Sequence, residues 1–505
     1  MTEPDPSAPA SYTALSEELA ARRARALEMG GAEKLARRRA AGHLNARERL
    51  ALLFDEGQMR EVGQLAASLT PGEEENTPAD GKIAAFGHVE GRPAAAVAND
   101  LTVKGASSAN VNARKIAYMK DQATRAGMPL VFLGESTGSR LPETMGARAM
   151  AQMGQDSQQY CRRRETPWAS AVLGPCLGSS TWYSVLSDFC VMRKGAFLAV
   201  SSPLVTSQAI GEEVDPEALG GWKLHAEVTG LVDAVARSDE EAIGLIRRFL
   251  SYLPGHAGEA PPRIADAGAP DQTALADLVP TAPQRVHDMR KVIRHLFDTG
   301  SYFPLKDRFG RSAVTALARL KGQSVGVIAT NPMFKGGALD PEGCRKATSF
   351  MVLCDSFNIP LVFLVDTPGF LVGKEGERKG APAHIMNMIH ALQLVSVPKV
   401  AVILRKSYGQ AFLNLGGGRN SDAMAIWPTA DVSFMGPGVA ANIRPDLAEM
   451  EFDTSPWTFA GAFGAHEVLA PAETRDWIAE MLDFLTRRPG GGVGRHDMAA
   501  WPTTV

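Results

Sequence analysis

Three short stretches of the 505-residue chain carry residue types that could do chemistry. Gly134-Glu135-Ser136-Thr137-Gly138 matches G-x-S-x-G, the pattern of a serine nucleophile presented on a tight turn after a strand. His225, His384 and His466 follow it, none in a telling context; alone, the match suggests a serine hydrolase. The other two are Gly178-Ser179 in GPCLGSST and Gln410-Ala411 in RKSYGQAF. Each follows an apolar strand and precedes small residues. Adjacent backbone N–H groups at such a strand-to-helix turn can converge on one oxygen and form an oxyanion hole. Glycine there also serves close helix–strand packing. GGGRNSD (416–422) lacks the Lys-Ser/Thr of a phosphate loop and the spacing of a dinucleotide fingerprint, and reads as a flexible loop. With no H-E-x-x-H and no clustered Cys/His, no catalytic metal is expected.

The elements that must position these residues are written twice. MPLVFLGESTGSR (128–140) and IPLVFLVDTPGF (359–370) share PLVFL, and Pro129 to Pro360 sets an offset of 231. The same offset joins Val103–Gly105 (VKG) to Phe334–Gly336 (FKG), Arg114-Lys115 to Arg345-Lys346, Pro167 to Pro398, and Gly178 to Gly409. A constant offset from Val103 to Gly178 indicates one duplicated unit, since solenoid periods are much shorter. In each half short strands come first (KIAAFGHVEGRPAAAVAND; SVGVIATNP). An amphipathic helix follows (NARKIAYMKDQATRAG; PEGCRKATSFMVLCDSFN), and then the buried strand PLVFL. A Gly turn, a helix, an apolar strand (WASAVLGPC; KVAVILRKS) and a second Gly turn complete the unit. Such alternation predicts an α/β fold. The expected organisation is a domain over 1–256, a Pro/Ala/Gly-rich linker over 257–284 and a domain over 285–505. The second half has Val365-Asp366-Thr367-Pro368-Gly369 where the first has G-x-S-x-G. A turn without serine argues that the repeat preserves geometry, not a nucleophile.

Bulk properties narrow the classes. The net charge of −3 gives no basic field for nucleic acid. Five scattered cysteines without a C-x-x-C pair fit a reducing cytosol. Acids at Glu3 and Asp5 argue against a signal or transit peptide, no apolar run is long enough to span a bilayer, and a cytoplasmic location is expected. The Arg-rich stretch LSEELAARRARALEMGGAEKLARRRAAGHLNARERLALLFDEG (15–57) reads as helix with a solvated face or a subunit contact, because glutamates are interspersed.

ARERLALLFDEG, SYLPGHAGEAPP, VDTPGFLVG, VPKVAVILRKSYGQAF and WPTADVSFMGPGVAANI, from about Ala46 onward, resemble the carboxyltransferase (β) subunits of biotin-dependent acyl-CoA carboxylases, such as the propionyl-CoA and methylcrotonyl-CoA carboxylase β chains. The resemblance implies two duplicated crotonase-like (ββα) domains. It also implies transfer of a carboxyl group from carboxybiotin to the α-carbon (or vinylogous carbon) of an acyl-CoA through an enolate. The first hole falls on Gly178 and Ser179 and would hold the thioester oxygen; the second falls on Gln410 and Ala411 and would hold the biotin ureido oxygen. Ser107, Lys115, Gly138, Ser139, Arg140, Phe412 and Leu413 become candidates for substrate contact. No biotinylation site or ATP-grasp region is visible, so the resemblance implies a biotin carboxylase and a biotin carboxyl carrier as partners, with a homohexamer as the assembly.

The chain departs from that family at three places. The usual DSGGAR turn is Glu135-Ser136-Thr137-Gly138-Ser139-Arg140. The usual Gly-Gly is Gly178-Ser179, and RKAYGGAYD becomes Arg405 to Leu413 (RKSYGQAFL). A replaced glycine would be strained by about 1 kcal/mol if its position needs φ > 0. Leu413 stands where Asp accompanies propionyl specificity. Besides a carboxylase subunit with an unusual substrate, a decarboxylase or transcarboxylase on malonyl-type CoA esters and a non-catalytic assembly paralogue remain open.

Overall fold

The computed structural model describes residues 11–141, 143–151, 156–444, 446, 450, 452–487 and 491–502. Residues 1–10, with Glu3 and Asp5, lie outside the described residues. Two eight-stranded sheets carry the chain. The first contains Arg60–Val62 (β1), Lys82–Val89 (β2), Arg92–Asn99 (β3), Leu130–Thr137 (β4), Trp168–Leu177 (β5), Phe189–Arg193 (β6), Phe197–Ala199 (β7) and Ala234–Ala236 (β8). The second contains Phe303–Leu305 (β9), Ala313–Leu320 (β10), Gln323–Thr330 (β11), Leu361–Thr367 (β12), Lys399–Tyr408 (β13), Ala423–Ile426 (β14), Asp431–Ser433 (β15) and Glu467–Val468 (β16). The strand orders are β1-β2-β3-β4-β5-β6-β8 and β9-β10-β11-β12-β13-β14-β16, with β7 on β5 and β15 on β13.

The duplication holds at the level of single residues. Inside a short antiparallel edge strand, β1 or β9, each sheet has an antiparallel hairpin, β2–β3 or β10–β11, and parallel strands follow. Ala95 faces Leu130 as Gly326 faces Leu361, and Leu130 faces Trp168 as Leu361 faces Lys399. The register breaks between Gly134 and Ser136, and again between Val365 and Thr367. The helix Asn110–Ala126 stops at Gly127 with φ 67°, and its counterpart Pro341–Ser356 stops before Asn358 with φ 60°. Glycine and asparagine are the residues that tolerate that left-handed cap. Pro129 and Pro360 then hold the chain extended into the two PLVFL strands, whose apolar residues are buried.

The halves share apolar packing. One continuous cluster draws residues from both sheets, and Phe189 stacks on Phe249 at 4.7 Å while packing on Phe303 of the second half at 5.6 Å. Segment 257–284 lies against the second half: Ile264 N–H donates to Gly322 O, Asn358 Nδ2 donates to Ala257 O and Glu259 O, and Leu275 and Val279 are buried. No helix among the described residues is long and apolar enough to cross a membrane.

A carboxylate is buried at the same point of each copy. Asp366, next to the strand end, accepts Arg405 Nε at 2.9 Å and a second guanidinium N–H at 2.7 Å. Arg405 also donates to the carbonyls of Pro280, Ala282 and Arg285, which ties the connecting segment to β13. Glu135 is the counterpart of Asp366, but the counterpart of Arg405 is Gly174, where an added Cβ would lie 3.2 Å from the Glu135 carboxyl carbon. The cations come instead from the N-terminal helices. Arg38, on Ala32–Ala40, donates to both Glu135 oxygens at 2.8 and 2.7 Å, and Arg49, on Ala46–Leu53, pairs with Glu135 and Asp239. These two arginines depart from the expected solvated face because they neutralise a buried acid; Arg22 and Arg37 keep to it, pairing along their own helices in solvent. Burial opposes ionisation of Glu135, but Arg49 and Arg38 outweigh it and hold the carboxyl below its usual value.

Removing one partner of a buried pair leaves an uncompensated charge. Arg405→Ala should therefore destabilise the protein by about 3–5 kcal/mol, read as a lowered denaturant midpoint. An unchanged midpoint would show that solvent already reaches Asp366.

Candidate active site

Three loops meet at the C-terminal ends of β3, β4 and β5, the edge of a parallel sheet where ligands commonly bind. The loop after β3 contains Ser107 and Ser108, the turn after β4 contains Gly138 and Ser139, and the turn after β5 contains Gly178. Ser108 bridges to Ser139: Ser108 N–H donates to Gly138 O at 2.8 Å, and Arg140 N–H donates to Ser108 O at 2.8 Å. Gly138 has φ 104° and Gly178 φ 63°. A Cβ on Gly178 would stand 3.5 Å from Gly138 Cα, so the two turns touch and both need glycine. The helix Ser179–Leu186 starts at once after Gly178. Its first N–H groups have no intrahelical acceptor.

The second half repeats this geometry. Leu339 bridges to Phe370, Gly369 has φ 123° and Gly409 has φ 60°. The helix Gln410–Asn414 starts after Gly409. Gly409 N–H is engaged with Ser433 O at 3.0 Å, which leaves Gln410 and Ala411 to supply the first helical N–H groups. The left-handed residue is therefore the retained glycine in both halves. Ser179 and Gln410 sit in helical conformation, so replacing the family's second glycine there strains nothing.

The other candidates separate into two groups. Arg140 is buried, paired with Asp80 and within 3.3 Å of the Ser107 hydroxyl and carbonyl. The Ser107 hydroxyl donates to Lys104 O at 2.7 Å. Together they brace the loop after β3. Lys115 Nζ donates to Gly63 O and Ala79 O at 2.8 and 3.1 Å, and its repeat counterpart Lys346 donates to Phe309 O and Ala313 O. Burial pushes these ammonium groups down to about 8 and about 7. The expectation that Lys115 contacts substrate meets a side chain already committed to backbone, for the same structural purpose in both copies.

Phe412 and Leu413 lie against the loop expected to be flexible. Phe412 packs edge-on against Phe459 at 5.8 Å; a Cβ on Gly417 would strike its ring and one on Gly418 would strike Leu413 Cδ2. Asn420 Nδ2 donates to Leu413 O at 2.9 Å. Residues 416–422 thus cradle the two side chains, while Leu413 keeps partial exposure.

The hydrolase reading fails on geometry. Ser136 is fully buried, and its Oγ accepts Gly138 N–H at 3.1 Å. Thr367 makes the same bond to Gly369 N–H at 3.1 Å, so the hydroxyl closes a turn in both copies. His225 is bonded to Leu198 O and Thr229 Oγ1, and His466 Nδ1 accepts Met424 N–H. Neither is paired with Ser136.

Sequence reasoning passed over three groups at this site. Ser108 lies 2.6 Å, oxygen to oxygen, from Ser179. Tyr183, one turn further along the helix, stacks on Phe132 at 4.9 Å. Arg38 and Arg49 hold the acid of the turn from outside the repeat. The available signal was the repeat itself: Ser108, Ser179 and Tyr183 correspond to Leu339, Gln410 and Asn414 at the same offset, so three hydroxyls are confined to the first half.

Ser136→Ala should leave turnover within about tenfold of wild type and should abolish no labelling by a fluorophosphonate, because none occurs at Ser136. Mass spectrometry of the treated protein checks this; an adduct on Ser136 with loss of turnover would restore the nucleophile.

Residues 37–450 match the Carboxyl transferase domain family. The chain is 33% identical to the propionyl-CoA carboxylase carboxyltransferase subunit of Haloferax mediterranei, over 93% of this chain and 95% of that protein. It is also 33% identical to the methylmalonyl-CoA decarboxylase subunit alpha of Veillonella parvula, over 91% and 93%. Among solved structures, it matches the transcarboxylase 12S protein, described as a hexamer with hydrolysed methylmalonyl-coenzyme A bound, at a TM-score of 0.89 and 32% identity, covering 95% of this chain and 97% of that one. The paired sheets, with one Gly-led helix start per copy, and these matches agree: the chain belongs to the carboxyltransferase family of acyl-CoA carboxylases and transcarboxylases, built from two crotonase-like domains.

Proposed function

We propose that this chain is a carboxyltransferase subunit that moves the carboxyl group of carboxybiotin to the α-carbon (or vinylogous carbon) of an acyl-CoA. The observation that carries the reading is the pair of helix starts at equivalent points of the two copies, each led by a glycine at φ 63° or 60°. Such fixed N–H groups are dipoles preorganised for developing negative charge. Gly178 and Ser179 donate to the thioester oxygen as it becomes an enolate oxygen; Gln410 and Ala411 donate to the ureido oxygen of biotin. Carboxybiotin, delivered as a co-substrate on a separate carrier, supplies CO2 and leaves a biotin anion to take the α-proton. No side-chain nucleophile is needed, which agrees with the closed turn at Ser136.

In this reading the chain works with a biotin carboxylase and a carrier subunit in the cytoplasm, within a homohexamer. Domains 1–256 and 285–505 bear the acyl-CoA and carboxybiotin sides, joined by 257–284. Ser139 and Gly138 line the acyl-CoA side, and Leu413 lines the acyl pocket. An apolar side chain desolvates readily against an aliphatic tail, at roughly 25 cal/mol per Å2, whereas an Asp there must stay hydrated or paired. The favoured acyl groups are apolar and longer or more branched than propionyl.

The test supplies biotin carboxylase, carrier, ATP, labelled bicarbonate and a panel of acyl-CoAs. Incorporation of label supports carboxylation. Release of CO2 from malonyl-type CoA esters without incorporation would replace it with the decarboxylase reading, the activity printed for the Veillonella relative. Silence in both assays would point to a non-catalytic assembly role.

Leu413→Asp should lower kcat/KM for the preferred acyl-CoA by about tenfold to a few hundredfold and raise propionyl-CoA in rank. The same panel run on both proteins measures this, and an unchanged ranking would remove Leu413 from the acyl pocket.

A further inference from the structure

Ser108 and Ser179 form a hydroxyl pair beside the first helix start, and proton counting leaves the pair one free donor. Ser108 Oγ and Ser179 Oγ are 2.6 Å apart, and either can donate to the other. Each hydroxyl has one proton to donate, so a pair joined by one link has one donor left over. Both residues are partly exposed. The Ser108 backbone is clamped to the Gly138 turn, which lies against Gly178, the residue that leads Ser179 into its helix. The second half has Leu339 in place of Ser108, and Gln410 bonded to Asn414 through their amides at 3.1 Å, so it has no such pair.

We propose that the Ser108–Ser179 hydroxyl pair supplies a side-chain donor to the first oxyanion hole and contacts the enolate oxygen of the acyl-CoA beside the two backbone N–H groups. The inference rests on the carboxyltransferase reading. No bond to serine forms: the α-proton leaves for the biotin anion, the C–H electron pair becomes the enolate C=C bond, the carbonyl π pair moves onto the thioester oxygen, and the hydroxyl keeps its proton while donating to that oxygen. The hydroxyl that accepts within the pair is polarised by its partner, which strengthens the proton it donates onward.

The experiment compares wild type, Ser108→Ala and Ser179→Gly, the last placing the family's usual glycine at a helical position that accepts it. Calorimetry measures the affinity of each for free CoA and for a CoA thioether ending in a nitronate, a planar anion that mimics an enolate. Thermal melts confirm folding. The expected result is a loss of roughly ten- to a hundredfold in nitronate affinity for both variants, with free CoA unchanged. The same loss should appear in kcat, with KM for the acyl-CoA held. Equal nitronate affinity in all three proteins would overturn the hydroxyl donor while leaving the carboxyltransferase reading intact. Failure of wild type to bind CoA or the nitronate would overturn both.

Discussion

A carboxylate buried at the end of the central strand is the constraint around which each half is arranged. Glu135 and Asp366 occupy the same place, at the register break that turns the strand end into a loop. An unpaired carboxylate in that position is far too costly to keep ionised, so each copy must bring arginine to it. The second copy finds its arginine one strand away, in Arg405. The first has Gly174 there and recruits Arg38 and Arg49 from helices that precede the repeat. Those helices are thereby made part of the first half's sheet edge. The connecting segment is bound to the second in the same way, through its carbonyls on Arg405.

What the carboxylate holds in place is the glycine turn just after it. Gly138 and Gly369 must adopt left-handed conformations within reach of the next turn, at Gly178 or Gly409, and the hydroxyl of Ser136 or Thr367 closes the intervening bend. Backbone geometry at the two helix starts is therefore nearly the same, although only the glycines themselves are shared. Side chains around them diverge freely. Hydroxyls surround the first start, while amides and the Phe412–Leu413 pair, wrapped by 416–422, surround the second. Duplicated backbone with divergent side chains suits the two oxygens of the proposed reaction, one in a thioester and one in a urea.

Much of this was legible along the chain. The offset of 231 survives because strand and helix positions in a duplicated unit face the same packing demands, so PLVFL, the prolines before it and the glycines after it persist together. The apolar runs named the buried strands, and the missing serine in the second turn already argued against a nucleophile. The placing of strain was not legible. A Gly-Gly motif does not say which glycine is left-handed, and only the turn geometry shows it to be Gly178 and Gly409. Nor were the partners of Lys115, a candidate for substrate contact: its charge is visible in a sequence, and the carbonyls of Gly63 and Ala79 that accept from it are not.

By itself the sequence determined the duplication, the α/β class, the two PLVFL strands with the apolar strands beside them, and the positions of the glycine turns, since each depends on periodicity or on residue type at a local backbone angle. Tertiary structure alone decided the partners. Arg38 meets Glu135 across 97 residues, and Ser108 meets Ser179 across 71. Such pairs follow from where the sheet edge brings separate loops together. No local pattern records it, because a hydrogen bond or ion pair constrains distance in space and leaves the separation along the chain free.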